Sequence, residues 1–170
     1  DAAALCALTP GISPVIVPNG VDDAAYQAAR APVSLQHPAL LFTGKMDYRP
    51  NVDAILWFWQ QVWPQVRAAA PSAHLYVVGK DPHPRLAPLA ADASVTVTGF
   101  VDDPLPYFAA ADVYVAPLRV GGGTRLKVLE TMAAGVPLVA TTLGVEGIDL
   151  CAPQHALLAD TPSDFASAIL

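Results

Sequence analysis

Short, continuous apolar runs alternate along this chain with longer stretches of helical period. Val15-Ile16-Val17, Leu40 to Thr43, Leu75 to Val78, Val95 to Thr98, Val113 to Ala116, Val136 to Ala140 and Ala156 to Leu158 read as strands. Turn residues stop most of them: Pro18, Gly44, Gly79, Gly99 and Pro117. From Asn51 to Ala70, by contrast, Val52, Ile55, Leu56, Trp59, Trp63 and Val66 recur at i, i+3, i+4, i+7, the period of an amphipathic helix. Tyr107 to Ala111 and Thr124 to Ala134 read as two more helices, the second closing at Gly135, a residue suited to a left-handed cap.

Strands that are apolar throughout, not at alternate positions, imply a sheet buried on both faces. That is the signature of parallel strands joined through helical crossovers. The expected fold is therefore a Rossmann-like, doubly wound α/β domain. Such sheets bind ligands beyond the carboxyl ends of their strands. Here those ends carry Gly44, Gly79, Gly99 and, after Pro117, the triplet Gly121 to Gly123.

Composition narrows the class. With 170 residues, 54% hydrophobic and 14% charged, the chain suits one globular domain, and no apolar run approaches the ~18 residues of a membrane span. Asp1-Ala-Ala-Ala lacks a basic start and an apolar h-region, so no secretory leader is expected. The pattern begins in mid-course and ends just after Thr161-Pro162-Ser163-Asp164, a helix-start signal, so a piece of a longer protein is expected. Cys6 and Cys151 are far apart among apolar neighbours, which suggests buried free thiols in a reducing, cytoplasmic compartment. The four histidines show no HxxxH or HExxH spacing, so no metal site is expected. A formal net charge of −6 argues against nucleic-acid binding.

One local feature departs from that acidic average. Three of the nine Lys and Arg residues fall between Arg119 and Lys127, around the stretch GGGTRLKVLE. A helix N-terminus presents unpaired N–H groups and the positive end of its dipole, and preceding glycines let an anion reach the backbone. Thr124 is the expected N-cap, which puts Arg125 and Lys127 in the first turn, where cations oppose the dipole unless an anion binds. Glu130 lies six residues past Thr124, about 9 Å along the axis at ~1.5 Å per residue, a reach from a diphosphate to a sugar diol. The competing reading is a flexible glycine loop followed by a Lys127–Glu130 surface pair. Neither a P-loop nor a GxGxxG after the first strand is present.

PLRVGGGTRLKVLETMAAGVPLV, Pro117 to Val139, resembles the donor-binding motif of family 4 glycosyltransferases, a GT-B group that uses nucleotide sugars. IVPNGVD (Ile16 to Asp22), LLFTGKMDYRPN (Leu40 to Asn51), LYVVGKDP (Leu75 to Pro82), VTGFVDD (Val97 to Asp103) and YFAAADVYVAPL (Tyr107 to Leu118) extend the likeness over nearly the whole chain. The GxMDYxPNVDAxxWF pattern is similar to sugar transferases of exopolysaccharide systems associated with exosortase (PEP-CTERM) sorting. The resemblance implies that residues 1–22 lead in from an absent acceptor domain and that 23–170 form the nucleotide-sugar-binding domain.

The resemblance also implies roles. Glu130 would hold the ribose hydroxyls, and Gly122, Gly123 and Thr124 would contact the donor sugar and pyrophosphate beside Gly121. Lys45 would stand for an arginine of a G-R-L motif after Gly44. The lysine expected five residues on is replaced by Pro50, leaving Arg49, Arg125 or Lys127 to supply its charge. Phe100 and Val101 would meet the base, and Gly79 would border the site. Gly122 replaces the first glutamate of an E-x7-E motif. The implied reaction is retaining, metal-independent transfer from an NDP-sugar, expected to be a UDP-sugar and used as substrate with no cofactor, to a glycan or lipid-linked acceptor. The fragment alone is expected to bind donor without turnover, and the full protein could be peripheral to a membrane. A nucleotide-sugar epimerase of the same architecture, or a noncatalytic nucleotide-binding module, remain alternatives.

Other residues suggest structural uses. Trp57, Phe58, Trp59 and Trp63 suit core packing first and docking to the absent domain second. Asp22 suits a helix cap, Asp102-Asp103-Pro104 a capped turn and Asp112 a structural carboxylate. Lys80 suits a solvated loop, and His83 has no evident partner.

Overall fold

The structure, a computed structural model, describes residues 2–9, 11–15, 17, 19–28 and 31–170. The apolar runs become β1 (Ala39–Thr43), β2 (His74–Val78), β3 (Val95–Gly99), β4 (Val113–Ala116), β5 (Leu138–Ala140) and β6 (Leu157–Leu158). They form one parallel sheet in the order β3-β2-β1-β4-β5-β6, with Leu41 level with both Tyr76 and Tyr114. The helices are α1 (Ala2–Leu8), α2 (Asp23–Gln27), α3 (Arg49–Trp57), α4 (Trp63–Ala69), α5 (Ala87–Ala90), α6 (Leu105–Phe108), α7 (Leu126–Ala134) and α8 (Pro162–Ile169). This is the doubly wound, Rossmann-like architecture expected from the strand pattern.

The continuous apolar strands have two cores to fill. Leu40, Phe42, Leu75, Val77, Val115 and Val139 face one side, packed by α3, α4 and Phe165 of α8. Leu41, Tyr76, Val78, Tyr114, Leu138 and Ala140 face the other, packed by Phe108 and Val128. Side chains alternate across a strand, so a sheet covered on both faces requires apolar residues at every position. All five residues of β1 are accordingly buried.

The helix expected from Asn51 to Ala70 begins two residues earlier and is interrupted. A π-helical turn, Phe58–Val62, separates α3 from α4, and the Trp63 N–H donates to Phe58 O, five residues back. Pro64 explains the wider turn, since it lacks an N–H and its ring would strike the carbonyl four residues earlier in a regular helix. The extra residue turns Phe58 and Val62 into the core and leaves Trp59 half-buried, its Nε1 donating to Asp92 at 2.9 Å. Trp57 and Phe58 both meet Phe165 edge to face, with centroids 5.9 and 5.8 Å apart, so the aromatic helix is used for packing.

Several expectations need correction. Ile16 and Pro18 lie outside the described residues, and Val15 and Val17 beside them are in no strand. Cys6 and Cys151 are exposed, not buried: Cys6 lies in α1, where Leu5 and Leu8 are exposed too, and Cys151 faces outward directly after Leu150, which packs on the second core. The short helix near Tyr107 is displaced to α6, with Asp103 accepting from Leu105 N at 3.0 Å as a capped turn. Asp22 caps α2, and Asp112 binds His37 and Ala39 N at the foot of the sheet. His83 does have a partner, accepting from Arg85 N at 3.1 Å. Among the described residues, no helix is long and apolar enough to cross a membrane.

Candidate functional site

The strand order reverses between β1 and β4, so the crevice beyond their carboxyl ends is where a doubly wound sheet can accept a ligand. The first turn there is closed by backbone. Gly44 N donates to Val78 O at 3.0 Å, and Gly79 N to Gly99 O at 3.2 Å. A Cβ on Gly79 would lie 1.7 Å from Gly44 O, so the bare backbone at Gly79 is used to bring the loops after β1 and β2 together.

The glycine loop forms the opposite wall. Gly121 and Gly123 have φ of +105° and +88°, and a Cβ on Gly121 would come within 2.9 Å of Pro50 Cγ. That contact seats the loop on the first turn of α3. Around Gly122 and Gly123 there is open space instead. Thr124 is not the N-cap of α7: that place belongs to Arg125, without a side-chain cap bond, and Thr124 Oγ1 accepts from Asn19 Nδ2 at 2.7 Å. The turn runs one residue longer than its composition suggests because the Arg125 guanidinium holds it from inside. Arg125 donates to Gly121 O at 3.0 Å, Gly122 O at 3.4 Å and Leu143 O at 3.1 Å, with Glu146 at 3.6 Å. With its side chain 5% exposed, Arg125 braces the loop carbonyls and is poorly placed to serve as a free counter-charge.

Lys127 lies at the switch point itself. Its Nζ donates to Thr43 O at 3.0 Å, where β1 ends, and to Asn51 Oδ1 at 2.7 Å on α3. It also stands 4.3 Å from the centroid of the Phe42 ring, a cation–π contact. An ammonium has three donors, so two bonds to protein leave one. Burial pushes Lys127 down to about 7 from 10.5, opposed by Glu130 and reinforced by Arg125. The folded value is lowered, so the cost of charging this lysine is present below pH about 7 and is relieved as pH rises toward 10.5.

Glu130 is half-buried one turn along the same helix, and its carboxylate stands near the Tyr26 hydroxyl of α2. Burial, together with that carboxylate, pushes Tyr26 up to about 12. The remaining expected residues are more dispersed. Lys45 points to Asp47 at 2.9 Å and lies 4.0 Å from Asp81, and its bond to the Asp47 carboxylate raises its pKa. Arg49 is exposed at the first residue of α3. Phe100 is exposed after β3, whereas Val101 packs on the second core.

The structure thus gathers Gly44, Gly121, Arg125, Lys127 and Glu130 around the switch point, and it adds Asn51, Tyr26 and Asn19. Asn51 had a signal in the sequence, an asparagine directly after Arg49-Pro50 at a helix start, but that position alone suggests only a cap. A direct test concerns Gly122. Its φ is not in the left-handed range and its Cβ direction is open, so Gly122→Glu is expected to change stability by no more than about 0.5 kcal/mol. Urea unfolding of the two chains checks this.

A family profile described as Glycosyl transferases group 1 matches residues 37–170. The chain is 33% identical over 141 residues to a phosphatidyl-myo-inositol mannosyltransferase of Mycolicibacterium smegmatis, over 78% of this chain and 35% of that protein. It is 28% identical over 138 residues to the protein of that name in Propionibacterium freudenreichii, over 78% and 34% of the two chains. The chain therefore spans about a third of the length of the curated relatives it matches. Among solved structures, an S. aureus TarM mutant in complex with fondaparinux, alpha-GlcNAc-glycerol and UDP superposes with a TM-score of 0.74 at 15% identity, over 99% of this chain and 34% of that one. The C-terminal domain of the group 1 protein LpcC from Francisella tularensis gives 0.64 at 16% identity, over 88% and 86%. HepE of Anabaena, in complex with UDP and glucose, gives 0.63 at 16% identity, over 89% and 44%. These structural likenesses show the fold, that of one half of a GT-B glycosyltransferase.

Proposed function

This chain belongs to the glycosyl transferases group 1 family, and we propose that it is the donor-binding half of a retaining, metal-independent glycosyltransferase that uses a UDP-sugar. The observation that carries the proposal is the Lys127 ammonium, held at the switch point beside the bare glycine loop, with Glu130 one turn further along α7. In this reading the diphosphate lies over Gly122 and Gly123, Lys127 meets its charge, and Glu130, oriented by Tyr26, accepts from the ribose hydroxyls. The UDP present in the TarM and HepE structures supports that class of donor.

The chemistry follows from the charges. As the bond from the anomeric carbon to the diphosphate oxygen breaks, negative charge grows on the departing nucleoside diphosphate. A fixed ammonium and unpaired backbone N–H groups stabilise that charge without having to reorganise. Arg125 contributes by keeping the loop carbonyls turned inward, away from the anion. The acceptor is proposed to be a glycan or a lipid-linked saccharide, met by a domain outside this chain. Relatives named phosphatidyl-myo-inositol mannosyltransferases favour the lipid-linked choice over the exopolysaccharide role suggested by the GxMDYxPN pattern. On this reading the 170-residue chain binds donor without transferring sugar.

Calorimetric titration of the chain with UDP, GDP, ADP and inorganic pyrophosphate tests the proposal. Glu130→Gln should weaken all three nucleotides roughly 10- to 150-fold, about 1.5–3 kcal/mol for a hydrogen bond to a charged group, and leave pyrophosphate unchanged. Equal weakening of pyrophosphate would remove the ribose role. No binding of any diphosphate to the native chain would remove the donor site altogether.

A further inference from the structure

Asn51 is a polar residue in the first turn of α3, yet it is 6% exposed. Both ends of its amide are used. Nδ2 donates to Lys45 O at 2.9 Å, and Oδ1 accepts from Lys127 Nζ at 2.7 Å. A backbone carbonyl can only accept and an ammonium can only donate, so these two partners fix which end of the amide faces which.

Three neighbours hold that arrangement in place. A Cβ on Gly44 would fall 2.6 Å from Asn51 Nδ2, so the amide occupies space that only glycine leaves free. Pro50, the preceding residue, packs against Gly121 and ties the same helical turn to the glycine loop. Asn51 N donates to Tyr48 O at 2.9 Å, which anchors the turn although Tyr48 offers no side-chain cap. Lys127 is the odd member of this cluster. A lysine on a flexible stem normally extends its ammonium into water, but here the head is drawn inward over Phe42.

We propose that Asn51 is a positioning residue whose clamped amide fixes the Lys127 ammonium at the switch point and favours its charged form for an incoming diphosphate. The inference rests on the donor-site reading of Lys127 and adds a residue to it. The charges acting on Lys127 are Glu130, which favours the cation, and Arg125, which opposes it, both from α7. The groups that β1 and α3 bring to its head are uncharged: Thr43 O, the Phe42 ring and the Asn51 amide. The acceptor oxygen of Asn51 therefore bears directly on the balance between charged and neutral lysine. Burial holds Lys127 down at about 7, so raising the pH above that value favours its neutral form and should weaken diphosphate binding by up to tenfold per pH unit. The terminal phosphate loses its own proton at about pH 6, and the uracil imide keeps its proton until about pH 9, so between about pH 7.5 and 8.5 the ligand's charge is nearly constant.

The test uses the full 170-residue chain, with Lys127 followed by NMR of labelled lysine side chains and UDP affinity measured from about pH 6.5 to 8.5, below the ionisation of the uracil base. Asn51→Ala should lower the titration midpoint of Lys127 and weaken UDP at least fivefold at pH 8, with a smaller loss at pH 6.5. Asn51→Asp should raise the midpoint by about 1–3 pH units, the effect of an opposite charge at this range, and extend UDP binding to higher pH. If the alanine chain does not fold, Asn51→Ser, which keeps a small polar side chain but draws its oxygen back from Lys127 Nζ, replaces it with the same expected outcomes. Midpoints and pH profiles equal to those of the native chain, with any affinity loss uniform across pH, would show that Asn51 only ties α3 to the loop after β1. That result, beside a Lys127→Gln chain that binds UDP poorly, overturns the role of Asn51 and leaves the donor site standing. Equal UDP affinity in native and Lys127→Gln chains overturns the donor role of Lys127, and this inference with it.

Discussion

Lys127→Met is expected to weaken UDP binding roughly 30- to 150-fold while the chain stays folded. A hydrogen bond to a charged group contributes about 1.5–3 kcal/mol, and each 1.4 kcal/mol is tenfold in affinity, which places the loss near the upper end of that range for an anion in a partly enclosed site. Methionine keeps the length of the stem and its contact with Phe42. It leaves Asn51 Oδ1 without its donor, a cost of about 1–3 kcal/mol. It also removes a cation whose burial opposes its charge, and the two effects act against each other. Calorimetry should therefore show lost affinity beside a nearly unchanged thermal unfolding midpoint. Undiminished UDP binding would mean that Lys127 does not meet the phosphate. A collapse of the fold would mean that it is a structural strut like Arg125.

The largest effect on stability is expected from Gly79→Ala. The added methyl would sit 1.7 Å from Gly44 O, a backbone atom with no rotamer to retreat into, and Gly79 has φ of +155°. Either the loop after β1 or the one after β2 must shift, and Gly44 N would lose its bond to Val78 O in the process. We expect a loss of more than about 3 kcal/mol, in the range reserved for overpacking and backbone conflict. For a chain of this size that is roughly 6–12 °C in Tm. UDP affinity should fall as well, since Gly44 leaves the space that the Asn51 amide occupies. A stability change within about 0.5 kcal/mol would show that the two loops are less tightly joined than the structure has them.

Much of the architecture could be read without coordinates. A strand such as Leu40 to Thr43, apolar at every position, cannot have a wet face, and that requirement leads directly to a parallel sheet with helices on both sides. The glycine-rich stretch and Glu130 could likewise be marked, because a helix that opens on bare backbone and cations is costly unless something anionic meets it. Helix boundaries were less legible. Thr124 has the composition of an N-cap, but its hydroxyl is taken by Asn19, 105 residues away. The 51–70 period suggested one regular helix, yet Pro64 forced a π-helical turn that moved Trp59 outward and Phe58 inward. Apolar neighbours do not by themselves bury a thiol: the segment of Cys6 has exposed leucines on either side, and Cys151 turns outward although Leu150 before it is packed.

Local sequence was sufficient to determine the two-faced parallel sheet, its glycine-ended strands and a concentration of positive charge at the start of one helix. Those properties depend on period and on residues within a turn of one another. Tertiary structure alone decided how the two cations of that helix divide their work. Arg125 and Lys127 carry the same charge and stand two residues apart. One turns into the carbonyls of its own loop, and the other crosses to Thr43 and Asn51, 84 and 76 residues away. The difference arises from which acceptors the folded backbone brings within 3 Å of each head group, a long-range fact that residue type and spacing do not contain.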